Sequence, residues 1–228
     1  MSEPNKCSIT ITENGPYLVS GNVPLEEKII TGGKDGNEYA DGRHYAQMED
    51  YALCRCGKSK NMPFCDGEHK GSCFNGTETA SREPFLDQAT VIKGPEVTLT
   101  DVEDLCAFAR FCHLHSGSVW EMTENSDNPK LKEWAIKAAC DCPAGRLVAW
   151  DNKTGQPIEP DYQPSIIILQ DPSRNCGGPI FVRGGIPIQS SDGTFYEVRN
   201  RVTLCRCGES DNKPFCDATH VSIEFDHK

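Results

Sequence analysis

The sequence predicts an α+β fold in which two similar β-rich halves enclose a central helical segment. A seventeen-residue stretch occurs twice, as LCRCGKSKNMPFCDGEH from Leu53 and as LCRCGESDNKPFCDATH from Leu204, and twelve positions are identical. Further upstream, the strand-like GPYLVSGNVPL at 15–25 is similar to GPIFVRGGIPI at 178–188. We therefore expect a first half at residues 1–80, a central segment at 81–172 and a second half at 173–228.

Each repeated stretch carries three cysteines and one histidine, spaced C-x-C-x8-C-x3-H. The candidate ligands are Cys54, Cys56, Cys65 and His69 in the first copy and Cys205, Cys207, Cys216 and His220 in the second. Two cysteines one residue apart, on a loop made flexible by Gly57 or Gly208, can reach the same metal ion. In C-D-x-x-H the cysteine and histidine share one face of a helical turn, where Asp66 or Asp217 can accept free backbone N–H groups.

Three thiolates and one imidazole suit zinc. They also suit a two-iron cluster with two cysteines on one iron and a cysteine plus a histidine on the other. Zinc fingers usually pair their cysteines as C-x2-C, so C-x-C followed by a long gap favours the cluster.

The shared pattern C-x-C-x2-S-x3-P-x-C-D-x-x-H resembles the CDGSH signature of the NEET iron–sulfur family, although the two copies read CDGEH and CDATH. Members of that family bind a [2Fe-2S] cluster through three cysteines and one histidine. The resemblance therefore implies two [2Fe-2S] clusters, one at each set of four ligands. Mitochondrial NEET proteins are homodimers with one motif per chain, so two motifs in one chain imply an intrachain pseudo-dimer and a monomer with an internal pseudo-two-fold.

The central segment has helical patterns. Thr100 and Glu103 form a capping box, which predicts a helix from that point. A second helix is predicted at 130–139 and ends before Pro143, which cannot continue it. Strands are predicted at Leu147–Trp150 and Ile166–Leu169. In the first half, the Gly-, Asp- and Lys-rich stretch from Thr31 to Asp41 is predicted to be a surface loop.

The central segment also resembles mono-cluster bacterial ferredoxins, because C-x5-C is followed, after a helix, by C-P. The ligands implied by this resemblance are Cys106, Cys112 and Cys142. Ala109 stands where [4Fe-4S] members have a fourth cysteine, so a third cluster of the [3Fe-4S] type is favoured. A fourth ligand from Cys140, His113 or His115 would permit [4Fe-4S] or a further [2Fe-2S] site. The alternative is that these cysteines are buried structural thiols.

Composition restricts the class of protein. The chain has 228 residues and 13 cysteines, most of them clustered with histidines, and it opens with no signal peptide, which predicts metal sites in a reducing cytoplasm. No apolar run is long enough to span a membrane. The formal net charge of −11 opposes binding to nucleic acid or anionic membranes and favours a basic redox or cluster-accepting partner.

The expected function is electron transfer. No nucleotide-binding or acyl-transfer motif occurs, so no catalytic residue is assigned and we expect a carrier instead of an enzyme. Cluster transfer or storage, redox or iron sensing, and a structural zinc protein are the alternatives.

Overall fold

The computed structural model describes residues 7–226, which form fifteen strands and four α-helices. The first half supplies β1 (Ser8–Ile11), β2 (Tyr17–Ser20), β3 (Leu25–Gly32), β4 (Asn37–His44) and β5 (Asp50–Leu53). Next come α1 (Phe85–Gln88), β6 (Thr90–Lys93), β7 (Val97–Asp101), β8 (His113–Leu114), β9 (Gly117–Ser118), α2 (Val119–Glu124), α3 (Pro129–Asp141), β10 (Leu147–Asp151), β11 (Pro157–Ile158) and β12 (Ser165–Asp171). The last elements are β13 (Cys176–Arg183), β14 (Ile188–Gln189), β15 (Arg201–Leu204) and α4 (Thr219–Ser222).

Two sheets share the same strand arrangement. The first has the order β14-β1-β2-β5, and the second has the order β3-β12-β13-β15 with β4 added beyond β3. The β1–β14 and β3–β12 pairs are parallel, and the other pairs named here are antiparallel. Strand β14 of the second half completes the first sheet, and β3 of the first half completes the second. Because the halves exchange these strands, neither builds its sheet alone.

One hydrophobic core joins the two sheets. Ile9 and Val19 of the first sheet and Ile166 and Ile180 of the second are buried in the same cluster. Every residue of β12 is buried, so this strand is covered on both faces. Fully burying an aliphatic side chain of this size contributes about 1.5–3 kcal/mol, and residues of both halves therefore stabilise a single body.

The central segment combines helices with a sheet of order β11-β10-β7-β6. Helix α3 begins after Asn128, whose Oδ1 accepts the Lys130 N–H at 3.0 Å, and Pro129 occupies the first helical position, where no N–H is needed. Ala138 of α3 packs with Leu147 of β10 in a second core. The helix predicted at 130–139 and the strands predicted after it are confirmed. Among residues 7–226, no helix is long and apolar enough to cross a membrane.

The helix predicted from the Thr100 capping box is wrong. Residues up to Asp101 belong to β7, and only a short 3-10 turn follows at Glu103–Leu105. The Thr100 hydroxyl accepts the Trp150 indole N–H at 2.9 Å and donates to Val148 O at 3.3 Å. Both partners belong to β10, so the hydroxyl forms hydrogen bonds within the sheet and does not cap a helix. The segment from Thr31 to Asp41, predicted to be a loop, is mostly a β3–β4 hairpin. The polar and mostly exposed residues of β4 led to the loop prediction, although β4 pairs with β3.

Candidate metal centres

Both ligand loops start directly after an edge strand of a sheet, β5 in the first copy and β15 in the second. In the first copy, the Cys54 N–H donates to Pro63 O at 2.8 Å and the Cys65 N–H donates to Ala52 O at 2.9 Å, which folds the loop back onto β5. The second copy makes the matching bonds, from Cys205 to Pro214 at 2.8 Å and from Cys216 to Thr203 at 2.9 Å. Backbone hydrogen bonds therefore bring the C-x-C pair to the C-D-x-x-H turn in each copy.

Side chains between the ligands hold the loop shape. Ser59 Oγ donates to Phe64 O at 2.6 Å, and Asp66 accepts the backbone N–H groups of Lys60 and Glu68 at 2.7 and 3.1 Å. The second copy repeats these bonds with Ser210 to Phe215 at 2.7 Å and with Asp217 accepting from Asp211 at 2.7 Å and Thr219 at 3.0 Å. The prediction that the two aspartates accept backbone donors at the turn is confirmed.

The eight ligand candidates of the two repeated loops are arranged in close pairs. Cys54 Sγ lies 3.8 Å from Cys56 Sγ, and Cys65 Sγ lies 3.4 Å from His69 Nδ1. In the second copy the same separations are 3.7 Å for Cys205 and Cys207 and 3.4 Å for Cys216 and His220. Within residues 7–226, no three Cys, His, Asp or Glu side chains converge on one point that could hold a single ion. The candidate metal-binding atoms of each copy are therefore arranged as two separate pairs.

Hydrogen bonding within each C-x-C pair favours one thiolate. The Cys56 thiol donates to Cys54 and lowers the pKa of Cys54 to about 6, against the opposing effect of burial. The Cys207 thiol acts in the same way on Cys205 and lowers its pKa to about 7. Burial raises the pKa of Cys216, whose sulfur accepts the Ala218 N–H at 3.5 Å. The same hydrogen bonds within the two pairs raise the pKa of Cys56 and Cys207. Because the thiolate is the form that binds metals, one cysteine of each pair is favoured in the ligating state.

The two loops contact each other reciprocally. A methyl group added at Gly57 would lie 2.2 Å from Cys207 O, and one added at Gly208 would lie 2.6 Å from Cys56 O. Both glycines have positive φ angles, 71° and 88°. Only a residue without a side chain permits this approach, so the candidate centres are neighbours across the junction of the two halves.

The central cysteines Cys106, Cys112 and Cys142 line one small cavity. The chain between the first two curls around it, with Phe108 and Arg110 in the left-handed region at φ 53° and 64°. Within the described chain, the backbone N–H groups of residues 107–111 donate to no protein acceptor, although several of these residues are buried. Unpaired buried donors around thiols form a cradle that fits a sulfur-rich anionic group.

Comparison with known families agrees with this geometry. Residues 14–70 and 177–221 match the family described as iron-binding zinc finger CDGSH type, and residues 92–152 match the family described as divergent 4Fe-4S mono-cluster. The chain is an iron–sulfur binding protein with two CDGSH domains. Among curated proteins and solved structures, nothing matches it.

Sequence reasoning missed two buried arginines of the CDGSH domains. Arg55 and Arg206 stand between the paired cysteines, and each is only 2% exposed. Their guanidinium groups lie 5.2 Å from the ring centroid of Phe74 and 5.3 Å from that of Phe225, respectively. The signal was present, because both copies read C-R-C and both have phenylalanine five residues after the histidine.

The two arginines differ in their hydrogen bonds. Arg206 donates to Gly178 O at 2.9 Å, to Leu169 O at 3.2 Å and to Gln170 Oε1 at 3.3 Å. Arg55 donates through Nη2 to Gly76 O, whereas its buried Nε and Nη1 have no partner. The first CDGSH domain therefore holds a buried cation that its protein surroundings satisfy only in part.

The two CDGSH domains also differ in exposure. In the first, Cys65 and His69 are partly exposed, and His69 lines an open surface cavity. In the second, Cys216 and His220 are only 3% and 4% exposed, and burial lowers the pKa of His220 to about 4. The central segment helps to cover the second domain, because Asn212 of its loop donates to Asp104 O at 2.8 Å.

The candidates for a fourth central ligand lie in different places. His113 is beside the cavity, with Nδ1 3.2 Å from Cys112 Sγ. Cys140 instead points to Ile158 O at 3.4 Å, and His115 Nδ1 is 2.8 Å from Lys34 O. Of the three, only His113 contacts a cysteine of the cavity.

The central cavity adjoins the second CDGSH domain. Cys142 packs against a buried cluster formed by Ala107, Ala144 and Cys216. A candidate ligand of the central set thus packs against the same small buried cluster that contains a candidate ligand of the second set.

Proposed function

We propose that the protein carries electrons through three iron–sulfur clusters arranged in series. The observation that carries the proposal is the contiguity of the three ligand sets. The central set packs on the second CDGSH set at Cys142 and Cys216, and the two CDGSH loops contact each other at Gly57 and Gly208. Sites in direct contact permit electron exchange over short distances.

At each CDGSH site, the two-by-two arrangement of donors supports a [2Fe-2S] cluster, since one pair suits each iron. Cys54 and Cys56 would hold one iron of the first cluster, and Cys65 and His69 the other. The same roles fall to Cys205, Cys207, Cys216 and His220. Such clusters supply one-electron chemistry, and the imidazole ligand raises the potential relative to four cysteines.

At the centre, Cys106, Cys112 and Cys142 would hold the third cluster with help from the N–H groups of residues 107–111. Ala109 offers no ligand, which supports [3Fe-4S]. His113 is the residue that would complete a [4Fe-4S] cluster. Strand β3 of the first half pairs in the second sheet, and strand β14 of the second half pairs in the first sheet. This exchange supports a monomer in which the two halves form an intrachain pseudo-dimer.

The test is an anaerobic preparation analysed for iron, sulfide, visible absorption and EPR. We expect a red-brown protein with four irons in the two CDGSH domains and further iron at the centre. A [3Fe-4S] centre gives a sharp EPR signal in the oxidised protein, where [2Fe-2S] clusters are silent. Replacing Cys142 with Ser should abolish that signal and leave the CDGSH absorption. A colourless protein with two zinc ions would overturn the proposal.

One observation favours a second candidate function, the transfer of a cluster to another protein. His69 lies at an open cavity together with Cys73, so an incoming thiol could reach the first cluster without unfolding. Incubation of the loaded protein with an apo-ferredoxin separates the two functions. Transfer of iron and sulfide from the first site at a rate faster than spontaneous loss would support this second function.

A further inference from the structure

The wall of the central cavity carries two arginines and no carboxylate. Beside the three candidate ligands Cys106, Cys112 and Cys142, the cavity is lined by Arg110 and Arg146. Among residues 7–226, no aspartate or glutamate lines it. Because a cluster held by thiolates is anionic, a cation at this wall would act on it electrostatically.

Arg110 ties the wall of the cavity to the second sheet. Its Nη1 and Nη2 donate to Asp171 Oδ2 and Oδ1 at 2.6 and 3.1 Å, and Asp171 belongs to β12. Nη1 also donates to Phe108 O at 2.8 Å, within the stretch that curls around the cavity. Arg110 therefore fixes the position of this stretch.

Arg146 is the arginine whose charge acts on the candidate ligands. Burial lowers the pKa of the Arg146 guanidinium, whereas the Asp101 carboxylate and the Cys106 sulfur raise it. Burial, together with the neighbouring Cys142 and Cys106, raises the pKa of Cys112 to about 12, and Arg146 opposes that rise. The guanidinium is thus close enough to two of the three sulfurs to interact with them.

Hydrogen bonds hold Arg146 in one orientation. Its Nε and Nη2 donate to Asp101 Oδ1 and Oδ2 at 2.5 and 2.8 Å, and the same Oδ2 accepts the Trp120 indole N–H at 3.0 Å. The side chains of Arg146 and Asp101 are only 12% and 10% exposed. Because buried charges are screened far less than exposed ones, the charge of Arg146 remains effective at the cavity.

We propose that Arg146 sets the reduction potential of the central cluster, because its fixed positive charge stabilises the reduced state. The inference rests on the proposed electron-transfer function. Reduction adds one electron to the cluster and makes no bond to Arg146, which keeps its proton throughout. Asp101 does not line the cavity, so its negative charge lies behind Arg146 and cancels the effect only in part. Net charge near a cluster is one of the factors that determine its potential.

The test is a redox titration of the loaded full-length protein, followed by the EPR signal of the central cluster. A [3Fe-4S] centre is followed in its oxidised form and a [4Fe-4S] centre in its reduced form. Arg146→Gln removes the charge and keeps an N–H donor for Asp101. Arg146→Lys keeps the charge and loses the bidentate contact. The matched control is Arg183→Gln, since Arg183 pairs with Glu26 at 3.1 Å and does not line the cavity.

At the wild-type midpoint potential, Arg146→Gln should lower the ratio of reduced to oxidised central cluster about tenfold, which is a shift of about 59 mV for a one-electron couple. Arg146→Lys and Arg183→Gln should titrate close to wild type. An unchanged potential in Arg146→Gln would overturn the inference. Equal shifts in the Gln and Lys variants would also overturn it, because both lose the bidentate contact and only one loses the charge.

Asp101→Asn provides an independent measurement if Arg146→Gln does not load iron. Its side-chain oxygen still accepts a hydrogen bond from Arg146 and the negative charge is removed, so the ratio of reduced to oxidised cluster should rise. A fall or no change would contradict the role of Arg146. Loaded wild-type protein with no central EPR signal in either oxidation state would instead overturn the central cluster and the three-cluster function, whereas variants that titrate alike overturn only the role of Arg146.

Discussion

The two CDGSH domains have the same internal framework and different surroundings. Both loops repeat the serine, aspartate and backbone hydrogen bonds, and their ligand pairs have nearly equal separations. The second domain is enclosed, and its loop bonds to the central segment and to residues 79–80, whose N–H groups donate to Lys213 O. The first has a partly exposed histidine. A duplicated site is thus placed in two different environments by what packs around it, while its own ligand geometry stays unchanged.

The largest effect is expected where the domains touch. Replacing Gly57 with Ala would place a methyl group 2.2 Å from Cys207 O, and Gly208→Ala would place one 2.6 Å from Cys56 O. Steric overlap with backbone, added to a positive φ, should cost about 4 kcal/mol in either variant. Because the contact is reciprocal, each single change should reduce iron loading in both domains. Iron content and the chemical denaturation midpoint measure this, and loss confined to the mutated domain would contradict the reciprocal contact.

The second-largest effect is expected from replacing the two buried arginines, because their hydrogen bonds differ between the domains. Arg206→Met removes the arginine donors to two carbonyls and to the Gln170 side chain, whereas Arg55→Met removes one hydrogen bond and two buried nitrogens that have no partner. Each buried acceptor left unpaired costs about 1–3 kcal/mol. Arg206→Met should therefore lower the free energy of unfolding by about 2 kcal/mol or more beyond the loss in Arg55→Met. Denaturant titration of the two variants side by side tests it, and equal losses would show that the asymmetry of bonding has no energetic consequence.

Acid should distinguish the domains through His220. Its pKa of about 4 lies below the value of about 6.5 of a free histidine, because burial disfavours the charged imidazole. Below about pH 6.5, protonation of this histidine therefore favours the unfolded chain, and the free energy of unfolding falls as the pH decreases. In the folded protein, His220 gains its proton only near pH 4. At pH 5 about one tenth of it would be protonated. The exposed first domain should lose its cluster first.

The decay of visible absorbance at pH 5 follows this loss in wild type, His69→Cys and His220→Cys. His69→Cys should slow the fast phase, since a cysteine replaces the accessible imidazole, and His220→Cys should leave that phase unchanged. If His220→Cys slowed the fast phase instead, the order of the two domains would be reversed.

Local features of the fold were predictable from sequence, and long-range ones were not. The ligand candidates share a fixed spacing, so the pairing of Cys65 with His69 follows from one turn of chain. The helix at 130–139 has a clear apolar face. By contrast, the exchange of β3 and β14 depends on pairing between residues that are far apart in the sequence. From the sequence, Thr100 could either cap a helix or form hydrogen bonds within a sheet, and only the strand pairing decides between the two. The boundary at residue 172 remains a prediction, although β12 before it pairs with β13 after it.

The smallest effect concerns a backbone position at which the two turns carry different residues in the same left-handed conformation. Gly67 of CDGEH and Ala218 of CDATH are equivalent and both left-handed, with φ values of 94° and 73°. Alanine is sterically destabilised by about 1–2 kcal/mol in this region, and glycine is not. Glycine is also more flexible in the unfolded chain, which offsets part of the stabilisation that replacing alanine with glycine would give. Ala218→Gly should therefore stabilise the protein by about 0.5–1 kcal/mol, and Gly67→Ala should destabilise it by a similar amount.

Because nothing lies within 4 Å of a methyl group added at Gly67, the pair of variants isolates backbone strain from packing. For a domain of this size 1 kcal/mol corresponds to a shift of about 2–4 °C in the unfolding midpoint. Thermal unfolding of fully loaded samples should show opposite shifts for the two variants. Shifts of the same sign would mean that the alanine of the second domain is held by contacts of its enclosed surroundings, and that the two turns are not interchangeable even where their backbones coincide.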